Sequence, residues 1–250
     1  MRCLIICFLF CTAAAVGQES ISAAADVDEI LAPYRAAAVA RWEADIRKLE
    51  ARDAVEKNPA DAVLFIGSSS IRRWNTIATD MAPYRVIQRG YSGAKYSDLA
   101  VFAERLLHPH QYRALVVFVA NDISGTPYDH SPQQVEQWVR YIVGVSRQHQ
   151  PAAPVLLVEV TPTESRFAVW PQIRRVNERL REIALTTADT YFIATAEHYL
   201  DPHDEPRSEL FVADKLHLNC DGYDLWSMLI RRRLDEVLGM REKFHATRSE

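Results

Sequence analysis

The segment Asp214-Lys215-Leu216-His217 sets a carboxylate three residues before an imidazole, a spacing at which the carboxylate can fix the tautomer of the ring. Far upstream stands Gly67-Ser68-Ser69-Ser70, directly after the apolar run Ala62-Val63-Leu64-Phe65-Ile66. A serine hydroxyl stays protonated at neutral pH, so it needs an adjacent base, and the base needs a third group to orient it. Asp214, His217 and one of the three serines supply those kinds of side chain. The residue just past a strand, in the tight turn that opens a helix, projects its hydroxyl best, which favours Ser69 over Ser68 and Ser70. On its own an Asp-x-x-His is equally an aspartate capping local backbone beside a polar loop histidine. Its position ahead of a helix, on the same sheet edge as Ser69, tips the reading toward acyl-transfer chemistry.

Attack on a carbonyl builds charge on its oxygen, and preorganised donors must meet that charge. Gly93, in Gly90-Tyr91-Ser92-Gly93, can bring its N–H close because it has no side chain in the way. Asn121, in Ala120-Asn121-Asp122, adds a side-chain amide, and the N–H of Ser69 makes a third donor. Each of these segments also reads as an ordinary turn; their convergence with a serine and an Asp-x-x-His makes them candidates. The α/β-hydrolase elbow Gly-x-Ser-x-Gly is not met, because Ile71 occupies its fifth position.

The elements that must hold these residues are legible as strand-length apolar runs: Ala62–Ile66, Arg85–Gln88, Ala114–Val119, Val155–Val160 and Tyr191–Ala194. Most are nearly continuous in apolar residues, as in a parallel sheet covered on both faces. Between the third and fourth, Val135, Trp138, Val139, Ile142 and Val143 recur at helical spacing over Gln133–Gln150. Ile173, Val176, Leu180 and Ile183 repeat the pattern after Pro171, and Leu225, Trp226, Leu229, Ile230, Leu234 and Val237 form a stripe over about Tyr223–Leu238. Val27–Lys57 also reads as largely helical. Alternating strands and helices predict an open parallel α/β sheet, with the serine cluster, the Gly90–Gly93 turn and Asn121 all on the edge where strands end.

With 250 residues, 48% hydrophobic and 25% charged, the chain is long enough for one sizeable core. Its start, Met1-Arg2 followed by Cys3–Phe10 and small residues to Gly17, reads as a secretory signal peptide over residues 1–17. Phe10 before Cys11 does not suit a lipid-attachment site. Loss of Arg2 moves the net charge from −4 to −5, which gives no electrostatic case for nucleic acid. The leader also removes Cys3, Cys7 and Cys11, so Cys220 has no internal disulfide partner and reads as packing or incidental. The histidines at 108, 110, 198 and 203 show no metal spacing, and no integral membrane span is expected in the mature protein. The aromatic stretch Phe167–Trp170 reads as packing, with lining of the substrate cleft as the alternative.

As a set, Phe65-Ile66-Gly67-Ser68-Ser69-Ser70-Ile71, Gly90–Gly93, Val119-Ala120-Asn121-Asp122 and Asp214-Lys215-Leu216-His217-Leu218 resemble the four sequence blocks of the SGNH hydrolases, the GDSL-like esterase/lipase superfamily. The resemblance spans about Ala62 to Leu238. It implies a flavodoxin-like three-layer sandwich with a five-stranded parallel sheet. It further implies Ser69 as nucleophile, His217 as base, Asp214 as its partner, Gly93 and Asn121 in the oxyanion hole, and no metal or organic cofactor. Two departures stand out. Ser68 replaces the usual aspartate before the nucleophile, and Ala120 replaces a glycine, which would narrow the floor of the site and favour small acyl groups.

The expected organisation is a leader over 1–17, a helical extension over 18–61, a hydrolase domain over 62–240 and a disordered tail over 241–250. The expected function is an exported, periplasmic or extracellular, serine esterase acting on a small-molecule or glycan ester of short acyl chain. The rivals are a catalytically silent glycan- or partner-binding module on the same fold and an acyltransferase.

Overall fold

The computed structural model describes residues 14–248. Most of the leader expected over residues 1–17 therefore lies outside the described residues. Five short strands, β1 (Val63–Gly67), β2 (Val86–Gly90), β3 (Ala114–Phe118), β4 (Val155–Val158) and β5 (Thr190–Ile193), form one all-parallel sheet in the order β2-β1-β3-β4-β5. The three inner strands, β1, β3 and β4, are buried on both faces, and for that reason their sequences read as unbroken apolar runs.

Alternation along each strand sends side chains to two separate cores. Leu64, Ile66, Leu115, Val117, Val155 and Leu157 meet α1 (Ala14–Asp53), α4 (Tyr96–Val101), α5 (Ala103–Leu107), α6 (Pro132–His149) and α7 (Trp170–Thr186). Val63, Phe65, Val116, Leu156, Val158 and Ile193 meet α2 (Ser69–Arg73), α3 (Ile77–Asp80) and α8 (Cys220–Arg248). The result is the three-layer α/β sandwich that the apolar runs predict. The helix expected over Gln133–Gln150 begins at Pro132, where Ser131 caps the Gln134 N–H and the Gln134 side chain returns to the Ser131 N–H.

Two segments carry more structure than their sequences suggest. In α1, Leu31, Ala38, Trp42, Ile46 and Leu49 are buried in the same core as the strands, so this helix is packed into the sandwich. Its C-terminal end is tied down by Arg89 of β2, fully buried, which donates to Asp53 (2.7 Å) and Glu56 (2.8 Å). Arg105 adds paired contacts to Glu43 and Glu50. At the other end, α8 continues to Arg248. The apolar stripe stops at Leu238, but Met240–Arg248 contains good helix formers and neither Gly nor Pro, so nothing ends the helix there.

Candidate active site

In a sheet ordered β2-β1-β3-β4-β5 the winding direction reverses between β1 and β3, and the crevice outside their carboxyl ends is where such folds place ligands. Ser69 follows β1 and Asn121 follows β3, so both candidates lie at that crevice. The turn after β1 is cramped. Gly67 has φ +148°, and a Cβ there would stand 1.9 Å from the carbonyl oxygen of Phe118 on β3, so only glycine fits. Ser68 is buried, and its N–H donates to Phe118 O at 3.0 Å. Ser69 is the first residue of α2, where helix geometry leaves its N–H without a carbonyl partner.

The chain folds Ser69, His217 and Asp214 into one hydrogen-bonded row. Ser69 Oγ is 2.8 Å from His217 Nε2, and His217 Nδ1 is 2.7 Å from Asp214 Oδ2. With the ring proton on Nδ1 facing the carboxylate, Nε2 accepts from the serine hydroxyl. Asp214 Oδ1 accepts the N–H groups of Leu216 (3.0 Å) and His217 (2.9 Å), which bend the loop so that both residues share one turn. Lys215, between them, takes a left-handed backbone at φ +55°. Partial burial pushes the Asp214 carboxyl up, but the backbone and side-chain bonds from His217 and the Leu216 N–H outweigh it and hold the pKa down at about 2. Arg73 Nη1 stands 3.6 Å from the same carboxylate. The far end of the row is anchored by α8, whose Tyr223 hydroxyl donates to Ser70 O (2.9 Å) and whose ring stacks on Trp74.

Asn121 lines the same small pocket as Ser69 and His217. Its Nδ2 donates to Ala94 O at 2.9 Å. Gly93 is not on the pocket wall; it is the neighbour of Ala94, in a left-handed turn (φ +69°) backed by Trp42. Asp122, next to Asn121, is buried and accepts the Tyr96 N–H and His130 Nδ1; desolvation raises its pKa despite these bonds.

The structure adds residues that sequence inspection passes over. A 3₁₀ turn, Glu164–Val169, leans across the site. Glu164 accepts the Lys215 ammonium and the Ser208 hydroxyl, and the Ser165 N–H donates to Lys215 O, so the turn is fastened to the Asp214–His217 loop. Arg166, from the same turn, donates to Ala120 O and to Asn121 Oδ1 (2.9 Å) inside the pocket. Phe167 and Trp170 do not line the Ser69 pocket. They face a neighbouring groove of about 460 Å³ walled by Glu159, Arg174, Glu178 and Glu197. Cys220 is exposed at the start of α8, so the packing role considered for it is not realised. Among the described residues no helix is long and apolar enough to cross a membrane, and no group of three His, Cys, Asp or Glu side chains could hold a metal ion.

A family model for the GDSL-like lipase/acylhydrolase family matches residues 66–225, more than half of the chain. The chain belongs to the GDSL-like lipase/acylhydrolase family. Solved structures with this fold include a candidate acylhydrolase from Bacteroides fragilis (TM-score 0.68, 19% identity, 77% of this chain and 96% of that one). A GDSL-like lipase from Bacteroides thetaiotaomicron superposes with TM-score 0.65 at 16% identity, over 77% and 98% of the two chains. A carbohydrate esterase family 3 protein from Talaromyces cellulolyticus superposes with TM-score 0.54 at 15% identity, over 72% and 98%. No curated protein matches the sequence. At these identities the superpositions establish a GDSL-like acylhydrolase fold, and the family establishes the broad class of hydrolase and esterase.

Proposed function

We propose that this GDSL-like acylhydrolase is an exported serine esterase that removes a short acyl group from an O-acylated carbohydrate. The observation that carries the reading is the unbroken row Ser69 Oγ, His217 Nε2, His217 Nδ1, Asp214 Oδ2, with links of 2.8 and 2.7 Å at the switch point of the sheet. Ser69 attacks the ester carbonyl carbon while its proton passes to His217 Nε2, and Asp214 steadies the resulting imidazolium. The N–H of Ser69 and the Asn121 amide, both on the pocket wall, meet the oxyanion. Collapse of the tetrahedral intermediate breaks the C–O bond, and His217 returns the proton to the departing alcohol. Water, deprotonated by His217, then attacks the acyl-serine; the second collapse frees the acid and restores the hydroxyl.

Acyl length is argued from room. The pocket beside Ser69 encloses about 20 Å³, little more than the roughly 10–15 Å³ one water needs, so it suits a methyl-sized acyl tail. Ala120 forms part of that wall. For the alcohol side, the groove that holds Phe167 and Trp170, next in sequence to Arg166 of the Ser69 pocket, has a polar and aromatic lining that suits a sugar, and a carbohydrate esterase shares the fold. Export is supported by the composition of the leader, Met1–Gly17.

Hydrolysis of p-nitrophenyl esters from acetate to decanoate by wild type, Ser69→Ala and Ser70→Ala tests this reading. Turnover should be fastest on acetate, survive in Ser70→Ala, and fall on the order of 10⁴–10⁶-fold in Ser69→Ala, as triad loss does elsewhere. A folded wild type with no turnover on any ester removes the esterase reading and favours a silent binding module.

A further inference from the structure

The wall of the Ser69 pocket carries a guanidinium that the reaction above leaves without a part. Arg166 is only partly exposed, and no carboxylate among the described residues pairs with it directly; Asp129 and Asp122 act on it only from a distance. Its two contacts are both oxygens of consecutive residues at the end of β3, Ala120 O and Asn121 Oδ1. A side-chain amide can sit either way round, and its partners decide which. Here Oδ1 faces an obligate donor, Arg166, and Nδ2 faces an obligate acceptor, Ala94 O. Turning the amide over would set N–H against guanidinium and oxygen against carbonyl, losing both bonds. Of the two Nδ2 hydrogens one goes to Ala94 O, and the other is left for the pocket.

We infer that Arg166 is a positioning residue, holding the Asn121 amide in the one orientation that offers an N–H to the oxyanion. This rests on the esterase reading of the site. The positive charge at Oδ1 also polarises the amide, so its remaining N–H becomes a stronger donor as negative charge grows on the carbonyl oxygen. That gain belongs to the transition state, so it is expressed in kcat and not in KM. Lysine cannot take over, because a single ammonium on a flexible stem lacks the planar fork that reaches both oxygens. The turn that carries Arg166 is also fastened to the Asp214–His217 loop through Glu164 and Ser165, so one short segment spaces the oxyanion side of the site from the base.

The test is a double-mutant cycle on p-nitrophenyl acetate with Arg166→Met, Arg166→Lys, Asn121→Ala and Arg166→Met/Asn121→Ala, reading kcat and KM separately, with thermal melting to confirm folding. Loss of one oxyanion donor typically lowers kcat about 10²–10³-fold, and Arg166→Met should reach about 10-fold or more of that at near-constant KM. Arg166→Lys should recover little of it. The double variant should fall no further than Asn121→Ala, because Arg166 acts through that amide. Losses that simply multiply, or a raised KM at unchanged kcat, overturn the inference. The Asn121 side-chain amide resonances in wild type and Arg166→Lys give a readout independent of turnover. If the wild type cleaves no ester, the esterase reading fails, while an Asn121 amide signal unmoved by Arg166→Lys separately removes the positioning role.

Discussion

Asp214 illustrates how local bonding decides the behaviour of a single side chain. Its carboxyl is held at about 2, below the usual 3.8, by the His217 and Leu216 contacts, against the opposing effect of burial. A carboxyl depressed on folding stabilises the native state above its unfolded pKa and loses that contribution as pH falls through the folded value. The stability gap between wild type and Asp214→Asn should therefore be constant near neutral pH and close between about pH 4 and pH 2, as urea midpoints would show. The gap should be modest, because the side chain is 41% exposed and the pair is screened. Turnover should fall far more steeply than stability in this variant, since His217 loses the acceptor for its Nδ1–H. At this scale the sequence was readable where a residue's partners are its neighbours in the chain, as for Asp214 and His217. Arg166 was not, because nothing adjacent in sequence marks it and its partner Asn121 lies 45 residues away.

Between elements, the sharpest constraint is the approach of β1 to β3 at Gly67. Gly67→Ala would drive a methyl into Phe118 O, 1.9 Å from the ideal Cβ position, and must part the two strand ends that carry Ser69 and Asn121. Its activity on p-nitrophenyl acetate should drop at least as far as its melting temperature suggests, because the displacement falls on the site itself. Helix α1 offers the complementary case. Ile46 is fully buried between that helix and the sheet, so Ile46→Ala should cost about 2–5 kcal/mol in urea unfolding while leaving kcat of the folded fraction unchanged. Strand positions were legible because burial on both faces forces continuous apolar runs; their ends moved by a residue or two. The C-terminal reach of α8 was not legible, because its last turns rest on helix propensity without an apolar stripe.

The whole molecule concentrates its chemistry on one edge of the sheet by winding away in opposite directions from β1 and β3. Alternating strand and helix patterns made that architecture legible, since short right-handed crossovers leave few other ways to connect five parallel strands. The integration of α1 was less legible, because the buried Arg89 cluster that ties it to β2 joins residues whose charges read as surface.

The row from Ser69 to Asp214 also imposes a sequence in time. Ser69 follows β1, while His217 stands just before α8, which must dock through Tyr223 and Trp226 beneath the Ser69 turn. A ribosome releases the serine long before it makes the histidine. On the proposed mechanism a nascent chain that stops short of His217 is therefore chemically inert, and ester cleavage waits until α8 has emerged and closed over the Ser69 turn.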